Sequence, residues 1–133
     1  MARILIVDDE EQVCSIVSRL ARINGHTVDT ALDGNAALER LQSRTYDLLI
    51  IDNLMPKLTG VDAVAIIRST PRFRGMRILM FSGATVTRDI DQAFEAGVDG
   101  YIPKPFCADR LIAKINGALQ RPGQDAKTVP EEL

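Results

Sequence analysis

Three aspartates, a serine and a lysine stand where apolar runs end. Asp8 and Asp9 follow "ILIV" (4–7), Asp52 follows "LLII" (48–51), Ser82 follows "ILMF" (78–81), and Lys104 comes two residues after "GYI" (100–102). A carboxylate at the end of a greasy run is costly unless something holds it. If the runs are neighbouring strands, all five side chains arrive at one edge. Two carboxylates about 4 Å apart repel by roughly 4 kcal/mol at an effective dielectric near 20. Three aspartates against one lysine leave the site negative, so either a carboxyl stays protonated or a cation enters. All-oxygen donors favour Mg2+ or a similar hard ion over zinc. A hard cation, an ammonium and a hydroxyl around one aspartate suit a phosphoryl group, with Asp52 as the attacking oxygen.

Each residue also has a plainer reading. Asp8 and Asp9 could cap the first helix and meet its positive end. Asp52 could cap a turn before Pro56, and Ser82 the loop ahead of the next helix. Lys104 could be an exposed residue between Pro103 and Pro105. The shared edge weakens these readings, and capping gives no reason for Lys104.

The elements that must position these groups alternate along the chain. After strand 4–7 a helical period places Val13, Ile16, Val17 and Leu20 on one face, and Gly25 can close the helix. "HTVDTA" (26–31) alternates like a strand. Asp33-Gly34 opens a second helix with Ala37, Leu38 and Leu41 inward. After strand 48–51, Gly60 precedes a third helix over 61–68, with Val61, Val64 and Ile67 or Ala65 inward. After strand 78–81 a fourth helix runs from about Val86 to Ala96, with Ile90, Ala93 and Phe94 inward and Gly97 at its end. A short strand (100–102) and a last helix from about Ala108 to Leu119, with Leu111, Ile112, Ile115 and Leu119 inward, complete five strand–helix units. Such alternation predicts a parallel α/β sheet covered on both faces, and the uniformly apolar runs 4–7, 48–51 and 78–81 fit doubly buried strands. Ligands of open parallel sheets bind at the carboxyl ends of the strands, which is where the polar residues fall.

The 133 residues suit one domain, expected over 1–120, with the polar, aperiodic stretch 121–133 as a tail or the start of a linker. A formal net charge of −2 argues against a nucleic-acid surface. The one local excess of base, Arg68, Arg72, Arg74 and Arg77, reads as a solvated loop. No apolar stretch is long enough to span a membrane, and the start lacks a signal-peptide pattern, so a cytoplasmic setting is expected. Cys14 and Cys107 have no metal-ligand spacing and read as small apolar fillers. His26 reads as a surface residue.

With Asp8-Asp9, Asp52 followed by Met55-Pro56 and Gly60, Ser82-Gly83-Ala84, and Lys104-Pro105-Phe106 in order, the chain resembles the receiver domain of two-component response regulators over about residues 2–120. The resemblance implies a doubly wound, flavodoxin-like fold: five parallel strands in the order 2-1-3-4-5 with five helices, an order for which a receiver protein is itself a standard example. It implies that Asp52 takes a phosphoryl group from a histidine kinase or histidine phosphotransfer protein. It implies Mg2+ held by Asp9, Asp52 and the backbone carbonyl of Leu54, with Asp8 acting mostly through water. Lys104 would pair with the phosphoryl oxygens, Ser82 would move to hydrogen-bond the phosphoryl group, and Tyr101 would turn inward as the switch aromatic or remain an edge tyrosine. A cis Lys104-Pro105 bond is implied too. The output would be a downstream protein or a second copy, bound around the fourth helix and fifth strand.

Four positions depart from the pattern. Asn53 stands where the family more often has an apolar residue, and either alters access or water near Asp52 or is harmless. Leu54 and Ala84 flank the path of a hydrolytic water that neither can orient, so autodephosphorylation is expected to be slow. Cys107 replaces a polar helix cap. Other readings are a Mg2+-dependent phosphohydrolase with an aspartyl-phosphate intermediate, and a receiver-like interaction module that is not phosphorylated. The first would want a second carboxylate at 54, where Leu54 stands; the second sits poorly with a complete set of acceptor, metal and lysine positions. A nucleotide-binding flavodoxin-like protein lacks the expected glycine-rich loop after the first strand.

Overall fold

The apolar runs form the interior of one sheet. The structure, a computed structural model, describes residues 2–83 and 87–120, apart from the side chains of Ser82, Thr87 and Arg88. In chain order the elements are β1 (Arg3–Val7), α1 (Glu11–Ile23), β2 (Thr27–Ala31), α2 (Gly34–Ser43), β3 (Leu48–Asp52), α3 (Gly60–Arg68), a 3-10 turn (Pro71–Phe73), β4 (Arg77–Ser82), α4 (Thr87–Ala96), β5 (Gly100–Pro103) and α5 (Ala108–Gln120). All strand pairs are parallel, in the order β2-β1-β3-β4-β5. The fold class expected from the sequence is the one observed. The stretch 121–133, expected as a tail, and Val86, expected to begin the fourth helix, lie outside the described residues.

Strand pleating splits the runs between two cores. Leu5, Val7, Leu49, Ile51, Ile78 and Met80 face Ala37 and Leu41 of α2, Ala63, Val64 and Ile67 of α3, and Ala93 of α4. Ile4, Ile6, Leu48, Ile50, Leu79, Phe81 and Ile102 face Cys14, Val17 and Ala21 of α1 and Leu111, Ile115 and Ala118 of α5. Covering both faces is what demands unbroken apolar strands.

Several helix faces differ from the sequence reading. In α1 the inward stripe is Cys14, Val17, Ser18 and Ala21, one residue round from the expected set, and Ile16 is exposed. In α3 Ile67 is buried and Ala65 exposed. Phe94 of α4 is exposed while Ala93 is buried. In α1 and α4 small side chains, Cys14, Ala21 and Ala93, take buried positions facing the sheet. Cys14 is the buried filler expected, whereas Cys107 is exposed. Arg68 is also no part of a solvated loop. Its side chain is 11% exposed, and its guanidinium donates to Asp99 Oδ2 at 3.0 Å and to the carbonyls of Gly97, Phe73, Arg74 and Met76. His26 is half-buried, its Nδ1 accepting from the Ala2 amide at 3.2 Å.

Candidate phosphoacceptor site

Strand register brings the distant acids together. Val7 pairs with Ile51, so Asp8 lies beside Asp52 at the carboxyl edge of the two central strands. Asp52 pairs in turn with Phe81 of β4, and Ser82 with Pro103 of β5. Lys104 therefore starts two strands away from Asp52, with β4 between. An apolar platform bridges the gap: the Phe81 and Phe106 rings stack with centroids 5.2 Å apart, and Lys104 Nζ passes 5.6 Å from the Phe81 centroid. The Lys104–Pro105 bond is cis.

At the far end of that path Lys104 Nζ donates to Asp8 Oδ2 at 2.8 Å and lies 3.3 Å from Asp52 Oδ1 and 3.6 Å from Glu10 Oε1. Its side chain is 21% exposed, so it is drawn into the site rather than left between its prolines. Asp8 is fully buried. Its other oxygen accepts from the Glu10 amide at 2.9 Å. Glu10, not Asp8 or Asp9, occupies the N-cap of α1, with no side-chain capping bond, so neither aspartate caps that helix.

Asp8, Asp9 and Asp52 each offer a carboxylate oxygen within 4.8 Å of the others; Asp8 and Asp52 are buried and Asp9 is exposed to solvent. Burial pushes the Asp52 carboxyl up from 3.8 to about 6; the charges of Asp8 and Asp9 push the same way, and Lys104 opposes them. Burial by itself would lower Lys104, but its hydrogen bond to Asp8 and the charges of Asp52 and Asp8 outweigh that and hold it above its ordinary value. One ammonium against three clustered carboxylates leaves an oxygen-lined, negative pocket, the donor set a hard divalent cation takes. Burial, with the Asp8 charge next, also raises the nearby Cys14 thiol to about 11, so it is protonated and unreactive at neutral pH.

The β3–α3 loop packs against the backbone of Asp52. Gly60 packs where any Cβ would collide with the Asp52 carbonyl, which explains the glycine. Asn53 is neither loose nor turned to bulk water: its Oδ1 accepts from the Val61 amide at 3.0 Å, tying the loop to the first turn of α3. Leu54, two residues after Asp52, exposes its side chain. Tyr101 is half-buried on the edge strand β5. The Ser82 side chain and Ala84 lie outside the described residues, so their expected roles do too. Sequence reasoning passed over Glu10, although it is the third acid in Asp8-Asp9-Glu10, and Phe81, which carries no polar signal.

A doubly wound sheet with acids at its carboxyl edge and a lysine drawn onto them describes a receiver. The sequence profile of the response regulator receiver domain matches residues 4–116, and the chain belongs to that family. It is 35% identical over 129 residues to the response regulator MprA of Mycobacterium avium (strain 104), covering 96% of this chain and 56% of that protein. MprA of Mycobacterium ulcerans (strain Agy99) is 36% identical over 119 residues, covering 90% and 50%. The chain thus spans about half the length of the curated relatives it matches. Among solved structures, the chemotaxis response regulator CheY4 of Vibrio cholerae superposes with a TM-score of 0.86 at 31% identity, covering 90% of this chain and 99% of that one. The receiver domain of the Francisella response regulator 1452 gives 0.84 at 27% identity, covering 91% and 98%.

Residues 4–116 therefore form a receiver domain of the kind used in two-component signalling. Receiver domains bind Mg2+ at an acidic pocket and interact with histidine kinases and effector domains; the acidic cluster here fits such an ion. Among the described residues, no helix is long and apolar enough to cross a membrane.

Proposed function

We propose that residues 1–120 act as a phosphorelay switch in which Asp52 is the phosphoacceptor. The observation that carries this reading is the contact of Lys104 with both Asp8 and Asp52, made from two strands away. Asp9, Asp52 and the Leu54 carbonyl would hold Mg2+, with Asp8 beside them. When bound, the cation neutralises phosphoryl oxygens and offsets the crowding of carboxylates.

The residues then have distinct tasks. An Asp52 carboxylate oxygen attacks phosphorus in line. The P–N bond of the donor phosphohistidine breaks, and the histidine imidazole departs with the electron pair and takes a proton from solvent. Asp52 must be ionised to attack, and its carboxyl near 6 is mostly so at neutral pH. Lys104 can follow the new charge, exchanging a carboxylate oxygen for a phosphoryl oxygen over a short distance. Ser82 would hydrogen-bond the phosphoryl group, and Tyr101 would reorient with it. The surface around α4 and β5 would then bind a downstream protein or a second copy, a shift between pre-existing arrangements.

Incubation with Mg2+ and acetyl phosphate, read by intact mass, tests the proposal. The wild type should gain one phosphoryl group. Asp52→Asn, and wild type in EDTA, should gain none; equal uptake by the variant would sink it.

A further inference from the structure

Asn53 gathers more ties than any other residue of the β3–α3 loop. Its amide donates to the Phe81 carbonyl at 3.2 Å, which fastens it to β4. Its carbonyl accepts from Met55 N at 3.1 Å and from Gly60 N at 3.0 Å. Its side-chain oxygen accepts from Val61 N at 3.0 Å. One residue thus joins the end of β3, the turn after it and the first turn of α3.

The turn at Leu54 gives this a consequence. The Met55 N–H and the Leu54 carbonyl belong to one planar trans peptide and point in opposite directions. Anchoring the Met55 N–H on the Asn53 carbonyl therefore sets the direction of the Leu54 carbonyl. That anchor is only as steady as Asn53 itself, whose side chain is held by α3. The rest of the loop is pinned as well: Lys57 sits at φ 71°, and Leu58 N donates to the Pro56 carbonyl at 2.8 Å.

We infer that Asn53 is a positioning residue for the cation: through Val61 and Met55 it fixes the Leu54 carbonyl as a preformed ligand. The inference rests on the proposed Mg2+ site. It concerns how tightly the ion is held, and Asn53 neither touches the phosphoryl group nor orients water.

Calorimetric Mg2+ titrations of the wild type, Asn53→Ala, Asn53→Leu, Thr59→Ala and Asp9→Asn test it. Asn53→Leu keeps bulk and removes the acceptor, so it serves where alanine loosens the fold. Thr59→Ala removes the other side-chain cap of α3, the bond from Asp62 N to Thr59 Oγ1 at 3.2 Å, and leaves Asn53 untouched. Both Asn53 variants should weaken Mg2+ binding by about tenfold, and Thr59→Ala by less than about twofold despite its lower stability. Phosphorylation from acetyl phosphate by the Asn53 variants should be slow at limiting Mg2+ and return to the wild-type rate at saturating Mg2+. Wild-type Mg2+ affinity in both Asn53 variants would overturn the inference and leave the phosphoacceptor reading standing. Wild-type affinity in Asp9→Asn would overturn the cation site itself, and this inference with it.

Discussion

Asp52 is a carboxyl with 5% exposure, held between a buried like charge and an ammonium. Its proton leaves at about 6 in the folded protein, against 3.8 ordinarily. Between those values the folded state keeps a proton that the unfolded chain has lost, so this group makes metal-free stability fall as pH rises from about 4 to about 6. At about 1.4 kcal/mol per pH unit, the ionised form costs about 3 kcal/mol at pH 7. Asp52→Asn imitates the protonated acid. In EDTA it should match the wild type in urea unfolding near pH 4 and exceed it by up to about 3 kcal/mol at pH 7. Equal stabilities at both pH values would mean that Asp52 is not crowded. Asp8, Asp9, Asp52 and Lys104 were legible because each interrupts or follows an apolar run with a charge. Asn53 was legible only as an oddity, since its importance lies in a bond to Val61 that spacing does not announce. Phe81 looked like any core residue, although its ring is the surface along which Lys104 reaches the acids.

At the scale of elements, strands were easier to read than helices. A strand buried on both faces must be apolar throughout, so β1, β3 and β4 were plain. A helix with apolar residues to spare has no unique inner face. Ile16 and Phe94 proved exposed, while Cys14 and Ala21, not expected inward, and Ala93, expected so, are buried against the sheet. The connection between α3 and β4 hid a charge pair inside what looked like a basic loop. Arg68 binds four backbone carbonyls and Asp99, and Asp99 accepts from the Ile78 amide at 2.8 Å, so the pair joins α3, β4 and the α4–β5 connection. Removing one partner of a largely buried, multiply bonded pair is far more damaging than removing an exposed charge. Arg68→Met should destabilise by about 3 kcal/mol or more in urea unfolding, whereas Arg74→Ala, three residues before β4 and exposed, should stay within about 0.5 kcal/mol. Similar losses from both would show that Arg68 holds nothing together. Gly97, at φ 119° and with a carbonyl that Arg68 grips, turns the chain at the end of α4 in a conformation that side chains rarely adopt.

Across the whole molecule, two layers of helices hold a sheet whose carboxyl edge concentrates negative charge against one lysine. Binding a cation there should stabilise the fold by mass action, by about 2.7 kcal/mol at a hundred times its dissociation constant, seen as a rise in melting temperature with Mg2+ that Asp9→Asn abolishes. An unchanged melting temperature in the wild type would contradict a built cation site. Leu54 cannot orient a water beside Asp52, so the phosphorylated protein, once freed of donor, should lose its phosphoryl group over minutes or longer; a lifetime of only seconds would contradict this. These carboxylates should differ in role, with Asp52 alone forming the acyl phosphate. Reduction of the phosphorylated protein with borohydride, followed by peptide mass mapping, converts the modified aspartate to homoserine and locates it. Homoserine at position 52, dependent on Mg2+, is the predicted result; homoserine at position 8 or 9, or none anywhere after donor treatment, would contradict the account.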